Sequence, residues 1–140
     1  MILNIQKNEI SRERLMDLQI GLVYLFGSQA EGVAGPGSDI DIGIVFNNPE
    51  IVKGNTTDIY QTLYDIFSSA FDLGDFRTID IIFLERTSLE LQVDAIIHGK
   101  VLFEISPDFR LNFEERTLAL FRDFKVILNQ FNQTVLERIV

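Results

Sequence analysis

The segment from Asp39 to Phe46, DIDIGIVF, alternates strictly between two kinds of side chain. One set of positions holds only large apolar residues: Ile40, Ile42, Ile44 and Phe46. The positions between them hold Asp39, Asp41, Gly43 and Val45. Because successive side chains of a strand point to opposite faces, this pattern predicts a strand with one face in the core and two carboxylates on the other. We expect Gly43 to leave open space above that second face.

Length and composition predict one globular domain over residues 1–140. The chain has 140 residues, 46% of them hydrophobic, and a net charge of −9. That acidity argues against direct nucleic-acid binding, which depends on clustered Lys and Arg. The absence of cysteine excludes disulfides and thiolate catalysis. We find neither a leader segment nor an apolar run of membrane-spanning length, and we expect a cytoplasmic protein.

Hydrophobic periodicity predicts an α/β (α+β) domain with a single mixed sheet, flanking helices and a long C-terminal helix. Predicted helices cover residues 11–19, 57–71, 88–98 and the chain from Pro107 onward, and further strands cover 21–26, 78–84 and 101–104. Gly99 follows the third helix, where a C-terminal cap glycine is common.

The first two strands are joined by a segment that suits a phosphate and a hard cation. Gly27-Ser28 ends the first strand, and Ser38-Asp39-Ile40-Asp41 opens the second. Gly27 and Ser28 would let a phosphate approach backbone N–H groups and a hydroxyl. Asp39 and Asp41, about 6.5–7 Å apart along one strand face, could converge on Mg²⁺.

A third carboxylate, Asp80, is the only charged residue between Thr78 and Leu84. We expect this strand to be buried, so that an ionised Asp80 would need a partner there. A metal shared with Asp39 and Asp41 would supply that partner, and three such carboxylates suit two-metal phosphoryl or nucleotidyl transfer. In that role Asp80 is a metal ligand and a candidate base.

The sequence GSQAEG, then SDID on a strand, then a later strand aspartate resembles the DNA polymerase β-like nucleotidyltransferases. With IDIIFL, HGKVLFE and the FEE…RDF helix, it resembles more narrowly the minimal nucleotidyltransferase (MNT) antitoxins of MNT–HEPN toxin–antitoxin modules. The resemblance implies transfer of AMP from ATP to a tyrosine of a HEPN toxin, a small all-helical ribonuclease. It also implies that Gly27, Ser28 and Ser38 bind the nucleotide, and that Asp39, Asp41 and Asp80 bind Mg²⁺ and act in catalysis.

Glu31 departs from the family pattern, in which many relatives have a basic residue after the alanine. A carboxylate beside a triphosphate is unfavourable. This leaves two alternatives open: an antitoxin that only binds its toxin with a decayed site, and a transferase that acts on a small-molecule hydroxyl.

Other candidates have simpler interpretations. The run GVAGPG before Ser38 lacks the lysine and following helix of a P-loop, so we reject that motif. His98, the single histidine, is expected at a helix end, and Arg77 and Arg86 are expected to be solvated strand-end charges.

The last helix carries more apolar residues than one buried stripe requires. They are Phe109, Phe113, Leu118, Leu120, Phe121, Phe124, Ile127, Leu128, Phe131, Val135, Leu136 and Ile139. Either this is a core helix of a Phe-rich protein, or it forms a surface for a second copy or a partner. The family resemblance favours the partner.

Overall fold

The computed structural model describes residues 10–27, 40–71 and 79–139. The helices there are α1 (Arg12–Asp17), α2 (Thr57–Ala70), α3 (Leu89–His98) and α4 (Pro107–Ile139). The strands are β1 (Ile20–Phe26), β2 (Ile40–Phe46), β3 (Ile79–Phe83) and β4 (Lys100–Glu104). Within these residues the predicted order and the single sheet are confirmed. Short 3₁₀ turns cover Pro49–Lys53 and Leu84–Arg86.

The sheet has the strand order β3-β2-β1-β4 and is mixed. Strand β1 pairs antiparallel with both β2 and β4, whereas β2 and β3 are parallel. A parallel pair needs a crossover connection, and α2 lies in that connection. Within the described residues, β3 and β4 are therefore the edge strands.

The two faces of the sheet contact different helices, as the alternation in β2 predicts. Ile40, Ile42, Ile44 and Phe46 pack into one core with Leu15 of α1 and with Leu63, Ile66 and Phe67 of α2. On the other face, Leu22, Tyr24, Phe26 and Val45 form a second cluster with Ala95 of α3 and Phe113 of α4. The side chains of Asp41 and Gly43 belong to this second face.

The expectation of open space above Gly43 was wrong. A Cβ at that position would lie 3.2 Å from both Leu84 Cδ1 and Phe26 Cε1, so the glycine is covered. Leu84 comes from the turn after β3, and the glycine lets that turn pack close to the sheet.

Serine residues cap the N-termini of two of the helices. The Ser11 hydroxyl accepts a hydrogen bond from the Arg14 N–H at α1, and the Ser88 hydroxyl accepts one from the Leu91 N–H at α3. Gly99 is the C-terminal cap residue of α3, as predicted, and its φ of −79° is not left-handed, so the backbone conformation does not require a glycine there. A side chain there would instead collide with the carbonyl oxygen of Ala95.

Helix α4 starts at the far end of β1 and runs towards the end where Gly27 lies. The Phe109 ring occupies the space that a side chain on Gly21 would need, and Glu114 further along α4 is close to Tyr24. The strand from Gly21 to Gly27 and the helix from Phe109 to Arg122 each cover about 20 Å at their ordinary rises. A helix parallel to β1 would therefore draw level with Gly27 near Arg122.

Burial along α4 ends at the same point. Phe113 and Thr117 are buried, but every residue from 122 to 134 is exposed. The core interpretation of α4 thus holds only for its first half, and residues 122–138 form a projecting segment. No helix in the described ranges has both the length and the apolar character of a membrane span.

Candidate active site

Asp41 and Asp80 are lateral neighbours on one face of the sheet. They are register partners in the parallel β2–β3 pair, and paired residues of adjacent strands point to the same side. Adjacent strands are about 4.8 Å apart, so both carboxylates can reach one small ligand. Asp41 is half-buried and Asp80 is exposed.

The exposure of Asp80 corrects one step of the sequence argument. Because β3 is an edge strand among the described residues, Asp80 projects into solvent and is not buried among apolar neighbours. Its charge therefore needs no partner for solvation, and a metal is not required for that reason. What remains is its position beside Asp41, together with its accessibility to an incoming molecule.

Gly27 lies directly against Asp41 at the end of β1. Its φ of 75° is left-handed, a conformation that favours glycine. A Cβ on Gly27 would collide with the Oδ2 atom of Asp41, so the glycine leaves room for this carboxylate. Ser28, Ser38 and Asp39, like Glu31 and Arg77, lie outside the described residues, and their predicted roles stay predictions.

The donor chemistry fits Mg²⁺, which prefers carboxylate oxygens and keeps substrate phosphates and water as further ligands. Asp41 and Asp80 supply two carboxylates on one face, with Gly27 leaving space beside them. In residues 10–27, 40–71 and 79–139 no group of three or more metal-binding side chains occurs. A three-aspartate site therefore depends on Asp39.

Glu85, which the sequence argument did not single out, connects β2 to the turn after β3. Its Oε2 accepts a hydrogen bond of 3.0 Å from the Phe46 N–H, whereas its Oε1 is buried with no partner among the described residues. Burial raises the pKa of this carboxyl, and the Phe46 N–H partly opposes the shift. No local pattern marks Glu85, because its partner lies on a different strand.

Arg86 is exposed at the end of β3, as predicted, but its guanidinium is also bound by the protein. Its guanidinium donates to the carbonyl oxygens of Val52 (2.7 Å) and Gly54 (3.3 Å) and to the Thr56 hydroxyl (2.9 Å). It also lies over the Phe83 ring. Arg86 therefore anchors the segment before α2 to the turn after β3, on the opposite face from Asp41.

His98 lies where it was predicted, at the end of α3. Its Nδ1 is 2.9 Å from Asp94 Oδ1 one turn earlier, and both side chains are about half exposed. This contact leaves His98 as an ordinary helix-end residue.

Polar groups also join α4 to the sheet on the face that carries Asp41. Arg110 pairs with Glu104 of β4 and, at 2.8 Å, with Glu114 of its own helix. The Tyr24 hydroxyl is buried beneath them without a hydrogen-bond partner among the described residues. Burial, together with the nearby Glu114 carboxylate, raises the pKa of Tyr24.

A family model described as "Polymerase beta, Nucleotidyltransferase" matches residues 8–108, which include β1, β2 and β3 with their glycine and aspartates. The chain belongs to this family. As a polymerase β-type nucleotidyltransferase, it has the expected sheet with a carboxylate on each of two adjacent strands. The match ends at Asp108, just inside α4, so most of the long helix lies outside the family model.

Solved structures with a similar fold include proteins of toxin–antitoxin systems. The crystal structure of a toxin–antitoxin with AMP-PNP matches with a TM-score of 0.64 and 24% identity, over 94% of this chain and 99% of that one. A complex of a tri-AMPylated Shewanella oneidensis HEPN toxin with its MNT antitoxin matches with a TM-score of 0.54 and 22% identity, over 94% and 98%. At these identities the likeness establishes the nucleotidyltransferase fold. No curated protein sequence matches the chain.

Proposed function

We propose that this nucleotidyltransferase is the antitoxin of an MNT–HEPN pair, and that it transfers AMP from ATP to a tyrosine of its HEPN toxin. The observation that carries this proposal is the lateral pairing of Asp41 and Asp80 beside Gly27. Family membership supports nucleotidyl transfer, and the AMP-PNP and AMPylated-toxin structures of similar fold support this substrate and acceptor.

In this proposal Asp39, Asp41 and Asp80 hold Mg²⁺, while Gly27, Ser28 and Ser38 bind the phosphates of ATP. When bound, Mg²⁺ offsets the negative charge of the triphosphate. The left-handed turn at Gly27 brings the chain close to Asp41 without an intervening side chain, so the carboxylate keeps its place at the end of β1.

The reaction is a displacement at the α-phosphorus. The phenolic oxygen of the acceptor tyrosine forms a new P–O bond, the bond between that phosphorus and the oxygen bridging to the β-phosphate breaks, and pyrophosphate leaves. Asp80 accepts the proton of the hydroxyl. Its exposure on an edge strand suits this role, because an acceptor on another protein can reach it.

A protein acceptor is favoured over a small-molecule hydroxyl by the surface of α4. A site for a small molecule is typically an enclosed pocket, whereas the carboxylate of Asp80 is open to solvent. The projecting segment of α4, which continues from the helix on this face of the sheet, exposes apolar residues such as Phe124 and Phe131. Such a surface is typical of protein association.

The test uses ATP labelled on the α-phosphate, Mg²⁺ and the HEPN protein encoded by the adjacent reading frame. The wild type should label the toxin on tyrosine, and Asp41→Asn and Asp80→Asn should each lower the rate by about 100-fold or more. Asp65→Asn, an exposed aspartate on α2, is the matched control and should keep the wild-type rate.

Two results would contradict the proposal. Undiminished labelling by Asp41→Asn and Asp80→Asn would exclude these carboxylates from the reaction. If the wild type neutralised the toxin without labelling it, and both variants neutralised it equally well, the protein would instead be an antitoxin that acts by binding alone.

A further inference from the structure

Seven residues of α4, six of them apolar, form one continuous stripe that passes from the buried half of the helix onto the projecting segment. Their spacing alternates between three and four residues after Thr117, which is the pattern of a helix that packs against another helix. The stripe contains Phe113, Thr117, Phe121, Phe124, Leu128, Phe131 and Val135. Its first members are buried against the sheet, and its later members are exposed.

The direction of this stripe is set by the buried residues. Phe113 and Thr117 face the sheet, and at 100° per residue Phe124, Leu128 and Phe131 point within about 40° of the same direction. The exposed part of the stripe therefore faces the side on which the domain lies. Val126, also apolar and 51% exposed, points the opposite way.

The projecting segment begins level with Gly27, at the end of the sheet that carries the candidate site. Asp41 and Asp80 lie on the sheet face that α3 and α4 cover, because their side chains share that face with Tyr24 and Val45. Residues 122–138 extend about 25 Å beyond this end. A helix bound to the stripe would thus lie on the same face and at the same end of the sheet as Asp80.

We propose that the projecting segment of α4 is the docking surface for the acceptor protein, and that the stripe binds one of the acceptor's helices. This inference rests on the proposed function, since that function requires an acceptor that is a protein. An all-helical HEPN toxin offers the helix that the three- and four-residue spacing requires.

Charge favours this occupant over a second copy of the chain. Two chains of net charge −9 repel each other, so this charge disfavours a second copy on the stripe. The stripe itself is flanked by Leu120, Ile127, Asn132 and Thr134, and its charged neighbours along the edges are Asp123, Lys125 and Arg138.

The test compares two variants that place the same charge on opposite faces of the projecting segment. Phe124→Glu/Phe131→Glu alters the stripe, and Val126→Glu alters the back of the helix; all three side chains are exposed, so the fold does not depend on them. We expect the double variant to bind the neighbouring-frame HEPN protein about 100-fold more weakly than wild type. Val126→Glu should bind within about threefold, and both should bind ATP as wild type does.

Toxin binding by the double variant at wild-type strength would overturn the inference. It would also be overturned if the free wild type were a dimer that the double variant dissociates while toxin binding is unchanged, because the stripe would then bind a second copy. Toxin binding and AMP transfer are measured separately. If the double variant loses toxin binding but the wild type transfers no AMP, the docking surface is supported and the proposed reaction is refuted.

Discussion

The carboxylate of Asp41 occupies the space that a side chain on Gly27 would fill. Gly27 directly follows β1, whose last residue, Phe26, pairs with Asp41 on β2, and the left-handed turn at Gly27 brings the chain against the carboxylate. Glycine is thus required at position 27 for two reasons: the backbone there is left-handed, and the Asp41 carboxylate fills the space that a side chain would need.

Gly27→Ala should therefore affect stability and transfer together. A left-handed alanine costs about 1–2 kcal/mol of unfolding free energy, and displacement of Asp41 should lower the transfer rate by about 10-fold or more. Urea denaturation and the labelling assay measure the two effects. Gly54→Ala is the control, because Gly54 has a φ of −99° and the nearest atom to its added Cβ would be 3.7 Å away. Equal behaviour of the two variants would contradict the prediction.

Arg86→Ala should lower the free energy of unfolding by about 2–3 kcal/mol. The change removes the hydrogen bonds to Val52, Gly54 and Thr56 and the contact with Phe83. Arg86→Lys keeps the charge but not the planar set of donors, and should recover only part of the loss. Arg122→Ala, whose side chain is 74% exposed, should change stability by less than about 0.5 kcal/mol. Full recovery by lysine would show that charge alone matters at this position.

Glu85 should give the stability of the protein a specific pH dependence. Burial raises the pKa of its carboxyl above the ordinary value of 4.5, so the folded state binds this proton more tightly than the unfolded chain. The resulting contribution to stability is present below pH 4.5 and is lost as the pH rises through the folded value.

Glu85→Gln removes that titration. Measured by urea denaturation across pH 4.5–8, the stability of the variant relative to wild type should increase with pH. Glu90→Gln, an exposed glutamate on α3, should keep the wild-type profile. A constant difference between Glu85→Gln and wild type over this range would show that Glu85 does not titrate there.

Tyr24→Phe should leave the free energy of unfolding unchanged or raise it by up to about 1 kcal/mol. The hydroxyl is buried with no hydrogen-bond partner among the described residues, so its removal relieves an unsatisfied polar group. Thermal unfolding measures the effect, with Tyr60→Phe, which removes a hydroxyl from a 37% exposed side chain, as the comparison. A loss above about 1 kcal/mol would mean that Glu114 or a water binds the Tyr24 hydroxyl.

The local parts of this fold were predictable from sequence. The alternation from Asp39 to Phe46 correctly assigned Ile42 and Ile44 to one core and Val45 to the other face. Strand and helix bounds agree to within one or two residues, because they depend on periodicity and on capping serines such as Ser88.

The errors arose where residues far apart in sequence meet. The exposure of Asp80 depends on the position of β3 at an edge of the sheet, and the order of strands in a sheet cannot be predicted from the sequence of one strand. Leu84 covers Gly43, and Arg86 reaches back to Val52, through contacts that no local spacing reveals. Helix α4 is a similar case. It has more apolar residues than the sheet buries because the helix continues beyond the end of the sheet, and the sequence of the helix does not show where the sheet ends.

The Phe109 ring packs directly on Gly21 at the base of α4, so this contact helps to set the angle at which the helix leaves the domain. The end of the helix at Ile139 lies about 45 Å from Phe109, so a tilt of about five degrees at the base displaces it by about 4 Å. Gly21→Ala on β1 could thus change the direction in which the projecting segment points without altering any residue of that segment. Related chains could therefore differ in the partner that they bind through a change at residue 21 or 109 alone.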